Sequence, residues 1–188
     1  GDIFVSKHHY AIELAKNNNV FFLNPPSSKI EYKKERGVSI LDYKIKFRGI
    51  SKFPKFISSI LTNWEFQSIE KKVDLKFDII WNFENSRFFN LNGLRKSILK
   101  ISHIVDLNQN FNVALASSSA NFTFGVANTI VRRNSLYNKN SFKINHGYSP
   151  PPDNKIDAET PKQGNFKINV CYVGNLLISY LDEDTIIN

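Results

Sequence analysis

Hydrophobic and polar positions along this chain switch between two periods. Ser6-Lys-His-His-Tyr-Ala-Ile-Glu-Leu-Ala-Lys16 sets Tyr10, Ala11, Leu14 and Ala15 at helical spacing, with Ser6 as N-cap and Asn17-Asn-Asn19 as terminator. Val20-Phe-Phe-Leu23 follows as a short strand buried on both faces and stopped by Asn24-Pro-Pro26. Helix, polar turn and buried strand make the second half of a βαβ unit. Its first strand falls on Asp2-Ile-Phe-Val5 and is expected to be truncated. Short strands are predicted at 38–41 and 44–47, and a long helix at 52–72. A buried strand is predicted at 77–82, a helix at 92–100, a strand at 101–106 and a helix at 110–118. A strand at 120–126, a helix at 128–137 and a last strand at 142–145 lead into His146-Gly147. Strands alternating with helices predict an α/β fold, a Rossmann-like parallel sheet with helices on both faces.

Tyr148-Ser-Pro-Pro-Pro152 interrupts this pattern, and residues 151–165 are polar and aperiodic, as in a linker. Phe166-Lys-Ile-Asn-Val-Cys-Tyr-Val173 then reads as a new buried strand running into Gly174-Asn175. The expected organisation is a first domain over 1–150, a linker over 151–165, and the opening strand and turn of an incomplete second domain over 166–188.

Composition narrows the class. Of 188 residues 41% are hydrophobic, enough for a core and too many for a disordered tail. No apolar run approaches the ~18 residues of a membrane span. The single cysteine, Cys171, excludes a disulfide framework and a cysteine-based zinc site, and fits a cytoplasmic setting. Methionine is absent and the chain opens on Gly1, so it is expected to be a trimmed or excised piece. Residues 1–150 hold 22 basic and 11 acidic side chains, a balance of +11, against 3 and 6, or −3, over 151–188. That excess is either solvated surface lysine or attraction to an anionic partner.

The order of motifs resembles bacterial glycosyltransferases of the two-Rossmann-domain (GT-B) architecture. The residues that carry the likeness are Lys7-His-His-Tyr-Ala-Ile-Glu-Leu-Ala-Lys16 with Val20-Phe-Phe-Leu-Asn-Pro-Pro26, then Phe77-Asp-Ile-Ile-Trp81. Ile144-Asn-His-Gly-Tyr148 closes the first domain, and Val170-Cys-Tyr-Val-Gly-Asn-Leu176 opens the second. The resemblance implies an acceptor-binding first domain, a nucleotide-sugar-binding second domain and catalysis in the cleft between them. It implies transfer without a metal or resident cofactor, with retention of configuration. Many relatives place His directly before Asp at the end of a central strand. Here the order is Ile104-Val-Asp-Leu107 with His103 further back, and alternation puts His103 and Asp106 on opposite faces, so a catalytic histidine is not carried over.

Ligands of open parallel sheets bind beyond the carboxyl ends of the strands, which singles out Glu84 and Asp106. Each is either a base or hydroxyl-orienting group, or a turn cap or solvated carboxylate. His8 and His9 fall in the first turn of the first helix, where amide donors favour an anion; at most one faces the cleft, and their adjacency does not suit a shared metal. His146, beside the turn-permitting Gly147, either faces the cleft or bonds across the domain contact. Gly174 and Asn175 match the strand–turn that approaches a donor phosphate, or form an ordinary turn. Over 52–72, Phe53, Phe56, Trp64 and Phe66 alternate with Lys52, Lys55, Lys71 and Lys72; most of these aromatics are expected in the core, behind a basic rim able to touch an anionic bilayer.

These readings converge on part of a glycosyltransferase that moves a sugar from a nucleotide donor to a glycan or lipid-linked acceptor in cell-surface polysaccharide synthesis. Its place would be the cytoplasm, peripheral at the inner membrane face, and the piece alone would be inactive. The alternatives are a non-catalytic basic α/β module on a membrane or nucleic acid, or a GT-B-fold nucleotide-sugar epimerase. Nucleic acid is disfavoured, because no recognisable binding motif is present.

Overall fold

A computed structural model describes residues 6–27, 31–83, 87–106 and 112–146, all within the compact unit 1–150. The elements expected at 2–5, the linker and 166–188 lie outside the described residues, as do Glu84, Gly147, Gly174 and Asn175.

Along the chain run α1 (Ser6–Leu14), β1 (Phe21–Leu23), β2 (Tyr32–Glu35), β3 (Val38–Leu41), α2 (Lys55–Val73), β4 (Ile79–Asn82), β5 (Leu99–Ile104), α3 (Val113–Ser118), β6 (Phe122–Gly125), α4 (Asn128–Ser135) and β7 (Ser141–Lys143). Short 3₁₀ turns cover Ile50–Lys52 and Leu91–Gly93. β4, β5, β6 and β7 lie side by side in that order, every pair parallel. Parallel neighbours need a crossover, and α3 and α4 provide it between β5 and β6 and between β6 and β7. A second sheet runs β1-β3-β2, with β1 parallel and β2 antiparallel to β3. The chain is thus an α/β protein with a Rossmann-like parallel sheet flanked by helices.

Alternation along the strands assigns the faces. Phe66 and Ile69 of α2 join Leu41, Tyr43, Phe88, Leu91, Leu94 and Ile98 in one core cluster, against which Leu23, Phe77 and Ile80 pack. Ile104, Val113 and Ile130 form another cluster, which joins α3 and α4 to β5. α1 uses the opposite face: its Tyr10 ring lies 5.2 Å from Trp81 and its His8 ring 4.9 Å from Phe22.

Two carboxylates of α2 are buried. Glu65, 1% exposed, accepts three bonds from Arg87, one from Nε to Oε1 and one from Nη2 to each oxygen, and the guanidinium also donates to the Phe47 carbonyl at 3.1 Å. Glu70, equally buried, accepts from the Phe77 amide at 2.9 Å, from Lys76 at 3.1 Å and from Arg95. Burial pushes the Glu70 carboxyl up, but these donors pull it down by more, and it ends below the ordinary carboxylate value.

The structure corrects several expectations. Ser6 is the first residue of α1, and its hydroxyl is engaged by His146. β1 is half-buried, not buried on both faces. Residues 44–47 form no strand; β3 pairs instead with β2, across Arg36-Gly37, both at positive φ (48° and 82°) as a two-residue hairpin turn demands. The helix expected over 92–100 is absent. Leu91, Leu94 and Ile98 are buried from a 3₁₀ turn and loop, and β5 begins at Leu99. The aromatics of 52–72 are not mainly core: Phe66 is buried, but Phe53, Phe56 and Trp64 are exposed.

Candidate functional site

All four strands of the parallel sheet point their carboxyl ends to one edge, where open α/β sheets bind ligands. Phe83 leaves β4 there, Val105 and Asp106 leave β5, Val126 leaves β6, and Asn145 and His146 follow β7. Asp106 is exposed, and among the described residues it is the one carboxylate within three positions of these strand ends. His146 is exposed, with its Nδ1 2.8 Å from Ser6 Oγ at the start of α1. Tyr10, one turn further along α1, donates its hydroxyl to the Asn145 carbonyl. Burial pushes the Tyr10 phenol above its ordinary value, which keeps it a donor. α1 is therefore tied to the residues after β7 by two polar contacts.

Beneath this edge lies an aromatic box. His103, from β5, is fully buried. Its ring is 6.0 Å from Trp81 and stacked on it, 4.7 Å from Phe83, 5.8 Å from Phe124 and 5.8 Å from Tyr10. The register explains the gathering: His103 pairs with Phe124 on β6, and β4 pairs Asn82 with Ser102, so Phe83 arrives beside His103. Neither ring nitrogen of His103 has a hydrogen-bond partner among the described residues, nor has Trp81 Nε1. Burial, with His146 opposing a second positive charge, lowers the His103 pKa from 6.5 to about 4, so the ring is neutral at physiological pH. A neutral imidazole retains one N–H donor and one lone pair.

Asp106 and His146 both reach the carboxyl edge of the parallel sheet. His8 and His9 do occupy the first turn of α1. His8 faces the three-stranded sheet, stacked on Phe22 in a cleft of about 350 Å³ that also takes in Asn24, Lys33 and Arg36. His9 is half-buried. His103, set aside on the order of His and Asp, is the most perturbed titratable group at the edge. Its signal in the sequence was an ionisable ring inside the apolar strand Ile101-Ser-His-Ile104. Among the described residues no group of three His, Cys, Asp or Glu is placed to hold a metal ion.

The chain matches no protein-family model, no curated protein and no solved structure.

Proposed function

We propose that this chain supplies the acceptor side of a glycosyltransferase with two Rossmann-like domains. The observation that carries the reading is the convergence at one carboxyl edge of an exposed carboxylate, Asp106, an exposed imidazole, His146, and the aromatic box around His103. In this reading an acceptor sugar rests its C–H face near the rings, and Asp106 hydrogen-bonds the attacking hydroxyl. The acceptor oxygen bonds to the anomeric carbon as the bond from that carbon to the leaving diphosphate breaks. The hydroxyl proton passes to Asp106 or to the departing phosphate oxygen. The donor is assigned to the second domain, and closure of the two would keep water from the activated sugar. The expected metal independence belongs to the same proposal, as does peripheral membrane residence.

The direct test incubates the full-length gene product with UDP-, GDP- and dTDP-sugars and a panel of free and polyprenyl-linked glycan acceptors. Acceptor-dependent release of nucleoside diphosphate, with a glycan heavier by one sugar, is the expected result. Release of neither product across the panel, by protein shown to be folded, would overturn the reading.

A further inference from the structure

We propose that the outer face of α2 docks the protein on an anionic lipid bilayer, a surface for the peripheral membrane residence of the function proposed above, with a test that reads vesicle binding and not sugar transfer. The helix is turned against the usual rule. Its buried positions are Ser58, Thr62, Glu65, Phe66, Ile69 and Glu70, mostly polar, while Phe56 is 76%, Trp64 54% and Ile57 39% exposed. At about 100° per residue, Phe56, Ile57, Ile60 and Trp64 fall within one quarter to one third of the helix circumference. Phe53, 45% exposed, extends the stripe just before the helix begins. Isolated exposed apolar side chains are ordinary, but a contiguous aromatic stripe marks an interaction surface.

Charge selects the partner. Both carboxylates of α2 are buried and bound, Glu65 by Arg87 and Glu70 by Arg95 and Lys76. The exposed charges of α2 are therefore all lysine: Lys55, Lys71 and Lys72. Trp64 also borders a shallow depression of about 330 Å³, lined by Lys46, Phe47, Gln67, Ser68 and Lys71. Phe47, 6.1 Å from the Trp64 ring, backs it. Two lysines with an amide and a hydroxyl suit a lipid phosphate, while the neighbouring rings suit the acyl boundary beneath it. Exposed aromatic residues, lysines around them and no exposed acidic side chain within α2 itself, with Asp74 exposed only past its end, form the pattern of an interfacial helix. No helix among the described residues is long and apolar enough to cross a membrane, so the contact would be peripheral.

The test is co-sedimentation of the full chain with phosphatidylcholine vesicles, with and without one third phosphatidylglycerol. Binding is expected only to the anionic vesicles, weakening as salt rises, with a blue shift of tryptophan emission that the Trp64→Phe variant lacks. Phe56→Ser and Trp64→Ser should each weaken binding about tenfold or more. Lys46→Gln and Lys71→Gln should each cost about fivefold. All four positions are on the surface, and unchanged circular dichroism would show that the fold is intact. Failure to bind anionic vesicles at low salt would overturn the proposal, as would binding indifferent to these substitutions. A dimer abolished by Trp64→Ser, without vesicle binding, would overturn it in favour of a second copy covering the stripe.

Discussion

Acidification should destabilise this protein through the buried imidazole of His103. His103 carries a pKa near 6.5 in the unfolded chain and about 4 in the fold. Its stabilising contribution is complete above pH 6.5 and is lost as the pH falls toward 4, because over that range the unfolded chain binds the extra proton. At pH 5 the unfolded imidazole is almost fully protonated and the folded one about one-tenth so. The integrated loss between pH 7.5 and pH 5 is about 2 kcal/mol, approaching about 3 kcal/mol below pH 4. Glu70, held below its ordinary value of 4.5, begins to lose its contribution as the pH falls past that value, so a comparison of pH 7.5 with pH 5 stays above its range. Urea titrations at the two pH values should show the midpoint falling by roughly 1 M for a slope of about 2 kcal/mol/M. In His103→Phe most of that fall should disappear. The variant should be as stable as the parent at pH 7.5, since the ring nitrogens it removes have no partner among the described residues. An equal acid sensitivity in His103→Phe would show that another group, not His103, carries the effect.

Two further predictions probe the packing of α2. Arg87→Met leaves Glu65 buried without its forked partner and should cost about 3–5 kcal/mol in urea unfolding, while Arg87→Met combined with Glu65→Leu should recover most of the loss. Gly93→Ala would place a Cβ inside the radius of the Ser59 carbonyl oxygen and 2.8 Å from its hydroxyl, so the turn and α2 must separate. About 3 kcal/mol of lost stability is expected in the same assay.

The parallel sheet was legible because its strands are short apolar runs spaced by turn residues, as in Phe77-Asp-Ile-Ile-Trp81 before β5. β2 was not, because Tyr32-Lys-Lys-Glu35 is exposed throughout and has no apolar face to betray a strand; only the Arg36-Gly37 turn marked the hairpin. Leu91, Leu94 and Ile98 have helical spacing, yet Gly93 lies too close to the α2 backbone for a helix face to sit there. α2 was visible as a helix but not in its rotation. Apolar residues fill two stripes, and only the partners of Glu65 and Glu70, distant in sequence, decide which stripe turns inward. At the candidate site, strand ends could be read one at a time and pointed to Asp106. The box around His103 could not, since it needs the register of β4, β5 and β6 together with α1 on the same face.

The proposed function puts sugar transfer at the carboxyl edge of β4–β7, with Asp106 on the acceptor hydroxyl. The most direct measurement is steady-state sugar transfer by the full-length gene product and its Asp106→Asn variant, with donor saturating and acceptor varied. A fall in kcat of about 100-fold or more is expected, with an unchanged unfolding midpoint. Turnover in the variant equal to that of the parent would contradict the claim.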